Sequence, residues 1–154
     1  MAPTVYTIDA VSTGTGRDGR VRTTDGQLAF DMALPKAMGG SGEGVNPEQL
    51  FAAGYAVCFH SAMLAVNRGR GHDLTQSAVR ARVAISSDGQ GGYELAVDLL
   101  VVLPGLENEQ ATDLAQAAHA ICPYSKATRG NISVTVGATG SMSAAMDAVP
   151  LLHY

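Results

Sequence analysis

The longest apolar segment of the chain, residues 50–66, predicts a helix that is buried on most of its faces. Apolar residues occupy nearly every helical direction in this segment, and a helix of that kind needs cover on several sides. Asn46 is a good N-cap and Pro47 suits the first helical position, so we expect the helix to begin there. The cations and glycines of residues 68–71 predict its end near Asn67.

Alternating apolar and polar residues predict strands on both sides of this helix. Asp25-Gly26 is typical of a two-residue hairpin turn. A second helix is predicted over Glu107–Ile121, ended at Cys122 by the following Pro123. The order β-β-β-α-β-β-α-β indicates an α+β fold. The predicted strands are Thr4–Val11, Arg20–Thr24, Gln27–Ala33, Ser77–Ser86, Gly92–Leu103 and Asn131–Val136.

The apolar helix also predicts a second copy of the chain. In one small domain a single sheet covers one side of a helix, yet residues 50–66 are apolar on the other sides as well. The edge strands of the predicted meander would also stay unpaired in a monomer. We therefore expect a homodimer.

Charge and composition narrow the function classes. The chain carries 14 acidic and 10 basic residues, a net charge of −4, and no basic stripe, so nucleic-acid binding is not expected.

No repeat or low-complexity block divides the chain, which predicts one domain over residues 1–154, with a core of about 4–136 and a tail over 137–154. Residues 50–66 fit a core helix better than a membrane span. The first residues lack the basic and apolar runs of a secretory leader, so a cytoplasmic location is expected.

Two cysteines are the candidate chemistry. Cys58 lies late in the apolar helix and Cys122 follows the second helix, and no other cysteine is present. A cysteine on an apolar helix is most often a packed core thiol. Spacing alone therefore leaves a structural thiol, a metal ligand and a redox couple open.

A metal site is the weakest of the three interpretations. His60 and His119 accompany the cysteines. Residues i and i+2 of a helix project about 200° apart, so Cys58 and His60 do not share a face. The chain also lacks the short C-x-x-C spacing of zinc sites. We expect no metal and no cofactor.

A redox role for Cys58 requires a cation near its sulfur, because the thiolate is the reactive form. Cys58 lies too far into its helix for the helix N-terminus to help. Arg17, in a glycine-rich turn, is the best candidate, and Glu48 could orient its guanidinium. Glu48 and Cys58 are about 15 Å apart along an unbroken helix, however. Either the helix bends or breaks near Gly54, or Arg17 and Glu48 reach the Cys58 of a partner chain, which we favour.

Three motifs resemble those of the organic hydroperoxide resistance (Ohr) proteins. Asn-Pro-Glu-Gln-Leu-Phe-Ala-Ala-Gly-Tyr-x-x-Cys-Phe spans residues 46–59, and Cys-Pro-Tyr-Ser-x-Ala-Thr-Arg-Gly-Asn-Ile spans 122–132. Gly16-Arg17-Asp18-Gly19 is similar to the N-terminal arginine turn of the same family. The related OsmC branch shares the cysteines but usually lacks the run that follows Cys122, which places the chain in the Ohr branch. The resemblance covers roughly residues 4–136, and the tail beyond it departs from the family pattern.

The resemblance implies an OsmC-like intertwined α+β homodimer with two active sites at the subunit interface. It implies a thiol peroxidase for organic and lipid hydroperoxides in which Cys58 is the peroxidatic and Cys122 the resolving residue. Arg17 would activate the Cys58 thiolate, and Glu48 would hold Arg17. The implied reductant is dihydrolipoamide or a lipoylated protein. A general OsmC-type peroxidase, a thiol-based redox-sensing binding protein and a purely structural dimer are the alternatives.

Overall fold

A computed structural model describes residues 1–141, and the part of the predicted tail over 142–154 lies outside them. The chain divides into two compact units, Met1–Leu50 and the part from Phe51 onward. Each unit contains one three-stranded sheet. The described residues form an α+β structure, as predicted, with three α-helices.

The first sheet is an antiparallel meander of β1 (Ala10–Thr13), β2 (Arg20–Thr23) and β3 (Ala29–Asp31). The prediction that the first strand covers Thr4–Val11 is wrong in position. β2 has four residues, and these pair with the four residues of β1. Before β1 the pairing continues only through the Thr24 amide, which donates to the Asp9 carbonyl. Val5 and Tyr6 are accordingly 97% and 71% exposed.

The hairpin between β2 and β3 has a longer turn than the predicted two residues. The amide of Thr23 donates to the carbonyl of Leu28, which leaves a four-residue loop between them. Asp25 stabilises this loop by accepting from the Thr23 hydroxyl and from the Gln27 amide. Gly26 occupies the left-handed region at φ +75°, where glycine carries no steric penalty.

Helix α1 runs from Pro47 to Asn67 without a break, as the sequence predicts. Asn46 Oδ1 accepts from the Gln49 amide, and the Gln49 side chain accepts from the Asn46 amide, which forms a reciprocal cap. By length and composition α1 could cross a membrane, but four of its side chains are buried in the protein core: Tyr55, Phe59, Ala62 and Met63.

The second sheet has the order β4-β5-β6, with β4 (Ala78–Ser87) antiparallel and β6 (Ser133–Thr139) parallel to β5 (Tyr93–Val102). β6 ends three residues later than predicted. Helix α2 (Asn108–Ile121) begins after a capping box made by Glu107 and Gln110. Side chains of α1, α2 and β5 form the core of this unit, including Phe59, Met63, Leu99, Val101 and Leu114.

A third helix, α3 (Pro123–Thr128), follows directly after Cys122 and was not predicted. Pro123 ends α2, as expected, because it cannot continue the backbone hydrogen bonding. The same residue occupies the first position of α3, where proline is favoured. Cys122 is therefore the joint between two helices, and this joint organises the site.

Candidate active site

The two cysteine sulfurs lie 3.7 Å apart, and the Cys122 thiol donates to the Cys58 sulfur. Both cysteines are reduced thiols. Cys58 is part-buried on α1, whereas Cys122 is completely buried at the α2–α3 joint. The chain thus brings together two thiols that are 64 positions apart in sequence, at a distance from which a small movement forms a disulfide.

The first amide of α3 points at Cys58. Pro123 has no N–H, and the next backbone N–H, that of Tyr124, donates to the Cys58 sulfur and lowers its pKa. Burial is the larger effect and raises the pKa, and the neighbouring Cys122 thiol raises it further. The pKa of Cys58 is therefore above its ordinary value, so the thiol form dominates at neutral pH. The sequence did not indicate a role for this amide, because helix α3 was not predicted.

Arg17 and Glu48 form a bidentate ion pair within the first unit. Two guanidinium nitrogens of Arg17 donate to the two carboxylate oxygens of Glu48 at 3.0 and 2.7 Å. The side chains are 37% and 15% exposed, respectively. Hydrogen bonding from Arg17 holds the pKa of Glu48 below its ordinary value. The sequence-based pairing of these two residues therefore agrees with the geometry.

The turn that carries Arg17 is shaped by the glycines around it. Residues Gly16–Asp18 form a single 3-10 turn, and Gly16 has φ +70°. A Cβ at Gly19 would collide with the Thr13 carbonyl oxygen. Asp18 fixes the far side of the turn by accepting from the Leu34 amide at 3.1 Å. The backbone thus presents Arg17 from a rigid turn.

Helix α1 is continuous through Gly54, which removes the predicted option of a break there. Gly54 instead makes room for an aromatic ring. A Cβ at this position would lie 2.9 Å from the Tyr124 hydroxyl and 3.2 Å from its ring. Tyr124 packs there against Phe51 and Tyr55, with ring centroids 6.2 and 5.6 Å away. Phe51 and Tyr55 lie on the helix that carries Cys58, and Tyr124 lies on the helix that follows Cys122.

Both histidines near the cysteines bond to serines. His60 Nε2 lies 3.0 Å from the Ser77 hydroxyl, and His119 Nδ1 lies 2.9 Å from the Ser125 hydroxyl. Burial lowers the pKa of each, and the Arg129 cation adds to the effect at His119. Within residues 1–141 no group of three metal-ligating side chains is assembled.

Comparisons with known proteins identify the class. Residues 40–137 match the family model of the OsmC-like proteins. The chain is 42% identical to an organic hydroperoxide resistance protein of Xanthomonas axonopodis pv. citri over 140 residues, covering 86% of this chain and 93% of the relative. A crystal structure of an organic hydroperoxide resistance protein from Elizabethkingia anophelis superposes with a TM-score of 0.85 at 42% identity, covering 91% and 100% of the two chains. The structure of OhrB of Bacillus subtilis gives a TM-score of 0.78 at 39% identity, covering 88% and 100%.

The fold and the family match define an OsmC-like protein. Within that class, the chain belongs to the organic hydroperoxide resistance branch, in agreement with the resemblance of its cysteine motifs.

Proposed function

We propose that this protein is a thiol peroxidase that reduces organic hydroperoxides to alcohols. The observation that carries the proposal is the 3.7 Å approach of Cys58 to Cys122 in the reduced protein. The names of the relatives from Xanthomonas and Bacillus point to the same substrate class. A part-buried thiol beside a fully buried one is the arrangement that a peroxidatic and a resolving cysteine need.

The two thiols and the hydroperoxide are the only groups that the oxidation consumes. The Cys58 thiolate attacks one peroxide oxygen, the O–O bond breaks, and the departing alkoxide takes a proton to become an alcohol. Cys58 is then a sulfenic acid. Cys122 attacks the Cys58 sulfur, the S–O bond breaks, and the hydroxide leaves as water with the proton of the Cys122 thiol. The products are an alcohol, water and a Cys58–Cys122 disulfide.

Arg17 is the proposed source of positive charge at Cys58, and Glu48 the residue that orients it. Cys58 needs such a cation because burial raises its pKa. Glu48 lies ten positions before Cys58 on the unbroken α1, or about 15 Å along the helix axis. We therefore assign the Arg17–Glu48 pair that serves each Cys58 to a partner chain.

A homodimer is the proposed assembly, and α1 supplies the main support for it. Val57 and Leu64, 68% and 45% exposed, lie on one face of this helix together with Ala53 and Ser61. An apolar face of that kind is typical of a protein–protein contact. A second copy of α1 would cover it.

A dithiol of the lipoyl type is the proposed reductant, and the cytoplasm the proposed location. Cys122 is completely buried, so the part-exposed Cys58 sulfur is the one that a reductant reaches. A dithiol attacks there, releases Cys122 as a thiol, and closes on itself to free Cys58. A cytoplasmic dithiol pool supports such recycling.

Steady-state turnover tests this function. Dihydrolipoamide or reduced thioredoxin is supplied with hydrogen peroxide, tert-butyl hydroperoxide or a fatty-acid hydroperoxide. We expect the organic substrates with the lipoyl dithiol to give the highest kcat/KM, and Cys58→Ser to abolish turnover. Equal use of hydrogen peroxide would favour a general OsmC-type peroxidase. A single oxidation without turnover would favour a redox-sensing binding protein.

A further inference from the structure

The motif that follows Cys122 contains hydroxyl residues that the proposed chemistry does not use. Ser125 is completely buried and Thr128 is 7% exposed. The Ser125 hydroxyl lies 2.9 Å from His119 Nδ1 and 3.0 Å from the hydroxyl of the buried Tyr55. Tyr55 also lies 3.2 Å from the Thr128 hydroxyl. Four side chains thus form one hydrogen-bonded chain beside the cysteine pair.

The donor–acceptor direction of these hydrogen bonds follows from Thr128, the last residue of the series. The Thr128 hydroxyl donates to the Tyr124 carbonyl at 3.0 Å, and a hydroxyl has one proton to give. Thr128 must therefore accept from Tyr55. Tyr55 then accepts from Ser125, and Ser125 accepts from His119. His119 carries a proton on Nδ1, and every link is satisfied in one direction.

Two of these hydrogen-bonded residues lie on either side of the resolving cysteine in the sequence. His119 lies three residues before Cys122 and Ser125 three residues after it, so their bond spans the α2–α3 joint. Tyr55 lies one helical turn before Cys58 on α1. The Ser125–Tyr55 bond therefore fastens the joint to the helix that carries the other thiol. Arg129 also braces the joint by donating to the His119 carbonyl at 2.7 Å.

We propose that His119, Ser125 and Tyr55 are positioning residues that hold Cys122 in line to attack oxidised Cys58. We assign them no part in the bond-making steps; they act by fixing the joint. This inference rests on the proposed function. It predicts that these hydrogen-bonded side chains affect the rate of disulfide closure and not the rate of the first oxidation of Cys58.

The first test separates these two steps in Ser125→Ala and Tyr55→Phe. Cys58 oxidation is followed by stopped flow with tert-butyl hydroperoxide, and closure by acid quenching and intact mass. Closure should slow about tenfold or more, because small misplacement of reacting atoms carries a large cost in rate. The first oxidation should keep the wild-type rate. Ser133→Ala, at an exposed serine on β6, is the matched control and should change neither step.

The second test detects the direction of the chain in ¹⁵N spectra of the neutral His119 ring. The wild type should show a protonated Nδ1. Thr128→Val removes the final acceptor, so Tyr55 should donate to Ser125 and Ser125 to His119, moving the ring proton to Nε2. Thr128→Ser keeps the acceptor and should keep the wild-type spectrum. An unchanged tautomer in Thr128→Val would contradict the assigned direction.

Wild-type closure rates in both Ser125→Ala and Tyr55→Phe would overturn the positioning role, as would equal slowing of the two steps. A wild-type protein that does not react with the hydroperoxide would instead contradict the proposed function. In that case diamide, which removes two electrons and two protons from a dithiol, drives closure directly. Slower diamide-driven closure in the two variants would still support the positioning role, and unchanged closure would reject it.

Discussion

At the scale of the residue, the environment of Cys58 contains opposing influences on its thiolate. Burial and the Cys122 thiol raise the pKa of Cys58, whereas the Tyr124 amide lowers it. The net effect favours the protonated thiol, which is a poor nucleophile. A single amide does not reverse this balance, so the account requires a full charge at the sulfur, and Arg17 is the residue assigned to supply it.

Arg17→Ala should raise the pKa of Cys58 and slow its reaction. Each unit of pKa lowers the thiolate fraction about tenfold at a pH well below the pKa. Alkylation of Cys58 by iodoacetamide, followed from pH 6 to 10, should therefore show a profile displaced to higher pH and a loss of about tenfold near neutrality. Arg17→Lys keeps the charge but loses the bidentate contact with Glu48. Its alkylation profile should therefore lie between those of the wild type and Arg17→Ala. Identical profiles for wild type and Arg17→Ala would remove Arg17 from the site.

At the scale of the element, α3 connects the site to the fold. Its first amide contacts Cys58, its Tyr124 ring fills the space over Gly54, and its Ser125 hydroxyl bonds to Tyr55. The helix is only six residues long. These contacts with α1 hold it in place, so the short helix and the cysteine pair depend on each other.

Gly54→Ala tests the contact between α1 and α3. Alanine is favoured over glycine in a helix interior by about 1 kcal/mol, so an unconstrained site would become more stable. The 2.9 Å approach to the Tyr124 hydroxyl opposes this gain, because the ring would have to give up part of its packing against Phe51 and Tyr55 to make room. We expect urea unfolding to show a net loss of stability.

The double variant Gly54→Ala with Tyr124→Phe is the control, since it removes the hydroxyl that would collide. It should recover part of the lost stability. A gain of stability in Gly54→Ala alone would show that the ring moves aside without cost and would contradict the packing described for this contact.

The sequence predicted correctly the helix and strand ends that neighbouring residues determine, such as capped helix starts. Asn46 and Pro47 fixed the start of α1, and β4 and β5 lie where the strands Ser77–Ser86 and Gly92–Leu103 were predicted, to within one residue at each end. The strand predicted before Ala10 failed because pairing with a short partner, and not alternation, decides where β1 begins. α3 was missed because Pro123 both ends one helix and begins another, and only the first role was considered.

For the candidate site, residue type pointed to Cys58, Cys122, Arg17 and Glu48, because thiols, cations and acids are the groups that thiol redox chemistry requires. Their roles in the site stay predictions. The chain of His119, Ser125, Tyr55 and Thr128 could not be found in this way. Its members are up to 73 positions apart, and ordinary hydroxyl residues give no signal until the fold brings them together.

At the scale of the whole molecule, the proposed site is complete only with two chains. The exposed face of α1 and the exposed N-terminal Val5 and Tyr6 are apolar surface that a second copy would cover. Because Glu48 and Cys58 are ten positions apart on α1, we propose that the cation comes from that second copy. Dimerisation is thus part of the proposed chemistry.

Mixed dimers test this assignment. Cys58→Ser chains are expected to be inactive alone, and Arg17→Ala chains to keep about a tenth of the wild-type activity. If the site is shared, a mixed dimer joins the Cys58 of one chain to the Arg17 of the other and recovers one working site. Peroxidase activity should therefore rise above that of either variant alone when the two are refolded together. No recovery in a mixture shown by native mass spectrometry to contain mixed dimers would place Arg17 and Cys58 of one site in the same chain.

Val57→Asp places a charge on the exposed face of α1 and is the companion variant. It should shift the protein to monomer in light scattering and lower its peroxidase activity. A monomeric variant with full activity would show that one chain suffices.

The redox couple of Cys58 and Cys122 is tested by the intact mass of the reduced protein after one equivalent of tert-butyl hydroperoxide. We expect the loss of two hydrogens and, after proteolysis, a peptide pair joined through Cys58 and Cys122. Cys122→Ser should instead accumulate a Cys58 sulfenic acid that dimedone traps. A wild-type protein that consumes the hydroperoxide and forms no Cys58–Cys122 disulfide would contradict the account.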